Sequence, residues 1–360
     1  MTTLIFAGDT AWPRGCSLKI DEIEFSFGGT PVIANLEGPI LTVDPSEAEV
    51  RSKLKFNLYS DISLLRKAKE LGIIAFGVSN NHSDDYHGGL KNTQALLAKE
   101  GIQVFGTQYD QTAVIEQDST VFRIIGACSP LTDIGRRNAR ESIAAFDPHA
   151  LLRAVRTDRS KYPSARIVVY VHWGYELASF PLPADREWAR KAIDAGADYV
   201  IGHHPHVVQG IERYRNGLIA YSVGNFILPQ ARYRDRVLRY DDENVKLQLA
   251  ISIGKTEELF WFRYDVPDER IRFLERSSID EDRRIQSVTP FSGMGDSEYA
   301  KWYRKKLRSG SIRRRVGQPV LWTYFGFGQA TYVGKTALFN ARQALRKLAI
   351  VAGVHRPHNW

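Results

Sequence analysis

The sequence predicts an α/β fold with a polar site gathered at one edge of its sheet. Three observations carry this. Short apolar runs alternate with stretches of helical spacing, glycines close several of those stretches, and the unusual polar residues fall directly after apolar runs. In open α/β architectures ligands bind at the carboxyl ends of strands, so the third observation points to one shared site.

Taken in order, Leu4 to Ala7 is an apolar run stopped by Gly8 and Asp9. Pro31 to Ala34 is a second, ending in Asn35, Leu36 and Glu37. From Asp61 to Leu71, Ile62, Leu65 and Ala68 recur at helical spacing, and Gly72 closes the helix. A strand over Ile73 to Val78 ends in Ser79, Asn80, Asn81 and His82; a helix from Gly89 to Glu100 stops at Gly101. Val121 to Ile125 is a further strand, and the β-branched run from Arg166 to Val171 empties into His172, Trp173 and Gly174. A helix from Arg186 to Ala195, closed by Gly196, feeds a strand at Tyr199. Leu218 to Ser222 ends in Gly224, Asn225 and Phe226; Val245 to Ile253 alternates, and Phe260 to Tyr264 is aromatic, as half-buried strands are.

The densest polar stretch is Gly202-His203-His204-Pro205-His206, directly after the apolar run Tyr199-Val200-Ile201. Each imidazole carries two nitrogens that need partners, so three of them cannot all be packing residues. On extended backbone, His204 and His206 project to the same side, a usable geometry for two nitrogen ligands of a metal. Cys16 and Cys128 are the only two cysteines of the 360 residues, which excludes a disulfide framework and a metal set built on Cys.

These segments, in this order and at these spacings, resemble the CapA family of poly-γ-glutamate and capsule biosynthesis proteins, within the calcineurin-like metallophosphoesterase superfamily. The carriers are Asn35-Leu36-Glu37, Asn80-Asn81-His82, His172-Trp173-Gly174, Gly202 to His206, and Tyr221 to Phe226. The resemblance covers about residues 3 to 265. It implies a four-layer metallophosphoesterase-like β-sandwich flanked by helices, here followed by a basic C-terminal extension. It implies Asp9 on a first metal, Glu37 where the superfamily has a bridging Asp, and Asn81 as an amide ligand. His172 and His204 resemble ligands of a second metal, with His206 closing onto the first. His82 is implied as the neighbouring non-ligand that supports the leaving group. This donor set suits Mn, Fe or Zn. Ala11 stands where the superfamily carries another imidazole, so one tight ion and a second weak one are expected.

The implied activity is that of a metal-dependent hydrolase on a phosphoester or similarly anionic substrate, small or polymeric, with amide cleavage as a variant. A reading from another class is a non-hydrolytic accessory subunit that binds an acidic polymer or its biosynthetic partners. Asn35 is read as substrate-facing; His203 and Asn225 are read as substrate-facing or as residues that hydrogen-bond neighbouring turns. Trp173 is either a stacking platform or core, and Arg14 either meets an anionic group or is solvated.

Charge divides the chain. Thirteen of the 49 Lys and Arg lie after residue 300 with none of the 41 Asp and Glu, so the first 300 residues carry a net charge of −5 against +8 for the whole. The expected division is residues 1–290 as the metallophosphoesterase-like domain and 291–360 as the extension. In the latter, Leu338, Ala341, Leu345, Leu348 and Ala352 recur at helical spacing beside Arg342, Arg346 and Lys347. Such a helix lies on an anionic membrane surface, or packs on the body or a second subunit. No recognition motif for nucleic acid accompanies the charge. With no signal-peptide pattern and no long apolar run, a cytoplasmic location is expected, with the tail able to reach the inner membrane surface.

Overall fold

The computed structural model describes residues 3–20, 27–51, 56–108, 111–129, 132, 143–313 and 318–326, and ten residues between 330 and 345. Among them, a nine-stranded mixed sheet runs in the order β2 (Lys19–Ile20), β19 (Arg270–Ser278), β18 (Glu258–Asp265), β17 (Leu247–Gly254), β1 (Thr3–Thr10), β3 (Val32–Leu36), β6 (Ile73–Gly77) and β7 (Gln103–Phe105), with β14 (Asn225–Ile227) also on β1. A six-stranded sheet runs β12 (Ile211–Tyr214), β13 (Gly217–Ala220), β11 (Tyr199–His203), β10 (Arg166–His172), β9 (Thr120–Cys128) and β8 (Thr112–Gln117). Two ribbons, β4 (Ile40–Leu41) with β5 (Ser60–Asp61) and β15 (Arg232–Tyr233) with β16 (Arg236–Val237), lie apart from both sheets.

The sheets pack face to face, and three apolar clusters define four layers. Leu4, Phe6 and Ile33 meet Ile124, Val168 and Ile201 between the sheets. On the outer face of the larger sheet, Ile5, Val32 and Ala34 are covered by α1 (Leu64–Glu70) through Leu64 and Ala68, and by α2 (Gly89–Lys99) through Leu90 and Leu97. On the outer face of the smaller sheet, Ile167, Val169 and Val171 are covered by α3 (Pro148–Lys161) and α4 (Pro183–Asp194). The connectors α5 (Glu243–Lys246) and α6 (Arg283–Val288) are short, and α7 (Asp296–Arg308) packs beside α4. The four-layer sandwich flanked by helices is therefore the observed architecture.

Two strand expectations change. The stretch read as an alternating strand from Val245 begins with the turn of α5, and β17 is buried on both faces, because a cluster covers each side. The core cluster also runs across residue 290: Phe291, Tyr299, Tyr303, Ile312, Leu321 and Tyr324 share it with Val169 and Trp188. The described residues between 330 and 345 are exposed, Leu338 by 55% and Leu345 by 66%. The remainder of the expected tail helix, Leu348 and Ala352 included, lies outside the described residues.

Candidate metal centre

The alternation of the parallel strands decides which polar residues meet. In β10, Val168 and Tyr170 face the other sheet while Ile167, Val169 and Val171 face the helices, so His172 falls on the inter-sheet side. In β11, Tyr199 and Ile201 face inward and His203 follows them. In β3, Ile33 faces inward, and Asn35 and Glu37 continue its row.

Asp9 breaks this rule. Ile5 and Ala7 face the helices, so simple alternation would send Asp9 outward as well. Instead the register against β3 shifts between Phe6↔Ile33 and Asp9↔Asn35, three residues against two, and this bulge turns Asp9 inward. Gly8 makes the bulge fit, since a Cβ there would lie 2.1 Å from the Gly224 carbonyl oxygen.

His204 and His206 are not on extended backbone, contrary to the expectation from spacing. Both are left-handed, with φ of 96° and 58°. For non-glycine residues this costs about 1–3 kcal/mol each, strain of a kind that collects at functional sites. The turn still gathers the rings: the His204 centroid lies 4.8 Å from that of His172 and 6.0 Å from that of His206.

The resulting cluster is buried. Asp9 Oδ1 accepts the Asn35 amide at 2.8 Å and lies 3.4 Å from His203 Nδ1, while Oδ2 is 3.2 Å from His206 Nδ1. Glu37 turns Oε1 toward His172 Nε2 at 3.4 Å and Oε2 toward His206 Nε2 at 3.9 Å. His172 Nε2 is 2.7 Å from the Asn81 amide oxygen. His206 Nδ1 is also 2.9 Å from the Asn225 amide oxygen.

The electrostatics favour a cation among these groups. Burial alone would raise Asp9, yet the imidazoles of His203 and His206 hold it well below the ordinary carboxylate range. Burial would likewise lower His206, but Glu37 and Asp9 override it and push that ring up to about 10. In contrast, burial and then the neighbouring His204 hold His172 well below its ordinary value, and burial pushes His204 down to about 3. Neutral imidazoles are ligands, and two buried carboxylates call for positive charge. Asp9, Glu37 and His172 offer donor atoms within 4.8 Å of one another, and the Nδ1 of His204 makes no hydrogen bond among the described residues. The residues present fit a divalent metal ion.

His82 stands beside this set. Its Nδ1 is 2.6 Å from Asp85 Oδ2, which also accepts the Leu58 amide at 2.9 Å. Asp85 escaped the sequence reading, and Asn80 was named there only as part of its motif, without a role. The Asn80 amide donates to the Leu36 carbonyl at 2.7 Å and to Asn35 Oδ1 at 3.2 Å, and its oxygen accepts the His82 amide at 3.0 Å. It thus ties the Asp9–Asn35 pair to the His82 turn. The signal available for Asp85 was its place three residues after a histidine, one turn on.

Two residues carry two readings each from the sequence. Trp173 is 1% exposed and donates its indole N–H to the Tyr221 carbonyl at 2.9 Å. It belongs to the helix-side core because it follows His172 onto the opposite face, which is the core alternative of its two readings. Arg14 sits at the surface, paired with Asp44 at 2.9 Å and Asp61 at 3.5 Å. Asn35 and Asn225 orient Asp9 and His206.

The chain is similar to several known proteins. The chain is 30% identical over 217 residues to the capsule biosynthesis protein CapA of Bacillus anthracis, covering 57% of this chain and 52% of that protein. It is 29% identical over 232 residues to the PGA biosynthesis protein CapA of Bacillus subtilis, covering 62% and 60%. A probable polyglutamine synthesis accessory protein of Mycobacterium tuberculosis is 29% identical over 237 residues, covering 61% and 60%. The match thus spans between half and three fifths of each relative's length. Among solved structures, a putative 5'-nucleotidase from Staphylococcus aureus is similar with a TM-score of 0.43 at 12% identity, covering 86% of this chain and 58% of that one. The model of the family described as bacterial capsule synthesis protein PGA_cap matches residues 28–230, which take in every proposed donor but Asp9. The chain belongs to that family.

Proposed function

We propose that this chain is a metal-dependent hydrolase acting on a phosphoester or a similarly anionic group, in the service of capsule or poly-glutamate synthesis. One observation carries the reading. Asp9, Glu37, Asn81, His172, His204 and His206 converge from the ends of five strands, His204 and His206 sharing one, while His82 is drawn aside by Asp85 at 2.6 Å. Those six residues would hold one or two ions of Mn, Fe or Zn, which when bound supply Lewis-acid polarisation of the anionic oxygens.

The chain's own groups do the rest. Asn35 fixes Asp9 through the hydrogen bond to Oδ1, and Asn225 fixes His206. Asp85 accepts the proton of His82 Nδ1 and sets the ring, so that Nε2 is the atom that passes a proton to a leaving oxygen. The test is the metal-reconstituted full chain against phosphomonoesters, phosphodiesters and γ-glutamyl amides. Turnover of one class, abolished by Asp9→Asn, supports the proposal. The accessory role in the name of the Mycobacterium tuberculosis relative favours a second reading, in which the centre binds an acidic polymer without cleaving it. Binding of poly-glutamate with no turnover of any class would select that one.

A further inference from the structure

We propose that His203 is itself a metal ligand through Nδ1, on the Asp9 side of the centre, where it replaces the imidazole that Ala11 withdraws. The inference rests on the metal-centre reading above and deepens it.

His203 is wholly buried, and neither ring nitrogen makes a hydrogen bond among the described residues. A neutral imidazole must place one N–H donor and one acceptor, so this burial is unfavourable unless something else occupies the site. The ring has no freedom to look elsewhere. The Tyr170 ring lies against it at 4.2 Å, and the preceding residue is pinned, since a Cβ on Gly202 would lie 2.0 Å from the Tyr221 carbonyl oxygen.

What Nδ1 faces is a carboxylate already placed among the donors, Asp9 Oδ1 at 3.4 Å. That separation is longer than an ordinary N–H···O bond, which spans about 2.7–3.2 Å. It matches two donors that each lie about 2.0–2.2 Å from one shared ion and therefore about 3–3.5 Å from each other. Asn35 also donates to Oδ1, but a carboxylate oxygen has a second lone pair. With His203 included the donors divide evenly. His203 and His206 flank the two oxygens of Asp9, His172 and His204 stand on the Asn81 side, and Glu37 turns one oxygen toward each group. The weak second ion expected from Ala11 then becomes a firmly held one.

The test uses the full chain reconstituted with zinc and dialysed against metal-free buffer, with retained zinc counted per chain. His203→Phe keeps the ring shape against Tyr170 and removes both nitrogens. It should melt at or above the wild-type temperature in the metal-free form, yet lose about half of the zinc that wild type retains, as Asp9→Asn should. If His203→Phe does not melt cooperatively, His203→Asn gives the same readout. Wild-type zinc content in the His203 variant, beside a loss in Asp9→Asn and His204→Ala, overturns the assignment and leaves His203 as a substrate-facing group. Unchanged zinc in all three variants overturns the metal centre itself, and the assignment of His203 with it.

Discussion

Asn81 and His82 are adjacent in the chain and have opposite surroundings. The Asn81 amide oxygen lies 2.7 Å from His172 Nε2, inside the donor cluster, whereas His82 leans onto Asp85. The two substitutions should therefore separate. His82→Ala should keep its metal and its melting temperature while turnover falls by about 10²- to 10⁴-fold, the usual contribution of a positioned proton donor. Asn81→Ala should lose metal and turnover together. Metal analysis beside steady-state rates decides, and a fully active His82→Ala chain would remove His82 from the reaction. A different residue sets a pH dependence of stability. Burial raises Asp185 to about 7, although the Tyr324 hydroxyl donates to it at 2.5 Å and pulls the other way. A carboxyl raised in the folded state contributes stability that is whole below its unfolded value near 4 and is lost as pH climbs through 7. Thermal melts between pH 4 and 8 should show wild type losing ground to Asp185→Asn across that window; parallel curves would exclude the ionisation.

At the scale of elements, the sequence made the parallel strands and three of the four covering helices legible, because periodicity and glycine stops are local signals. α2 runs from Gly89 to Lys99, within a residue of its expected limits, and α1 and α4 end just before Gly72 and Gly196. α3 was not legible from its apolar residues. Its buried set is Pro148, Leu151, Leu152 and Val155 on an otherwise polar helix, and the readable signal was Asp147, which caps the amides of His149 and Ala150 ahead of Pro148. The facing of Asp9 was beyond reach for another reason, since it depends on pairing between strands: only the shifted register against β3 turns it inward. The left-handed turn at His204 and His206 likewise does not follow from their spacing. The bulge gives its own prediction. Gly8→Ala drives a methyl into the backbone of Gly224 and should cost about 1–3 kcal/mol or more in urea unfolding, with weaker metal retention as Asp9 is displaced. A variant as stable as wild type, with full metal content, would show that the bulge does not fix Asp9.

At the scale of the molecule, the basic C-terminal stretch behaves as two parts. Residues 318–326 are built into the core: Leu321 is 1% exposed and Tyr324 6%, and Tyr175 donates its hydroxyl to the Pro319 carbonyl at 2.7 Å. The described residues from 330 onward expose Leu338 and Leu345 beside Lys335 and Arg342, and no described helix is long and apolar enough to cross a membrane. Two truncations should therefore differ. Deleting residues 330–360 removes exposed side chains among those described, so the melting temperature should hold. The same deletion should abolish any retention of the chain on anionic vesicles, or shift its size in solution if the tail joins two subunits. Deleting residues 318–360 strips at least two buried side chains from the cluster over the smaller sheet, each worth about 2–5 kcal/mol, and should lower the melting temperature by on the order of 10 °C. Calorimetry on the two shortened chains reads the difference directly. Equal melting temperatures would mean that residues 318–326 do not cover the core, and the tie from Pro319 to the loop after His172 would go with them.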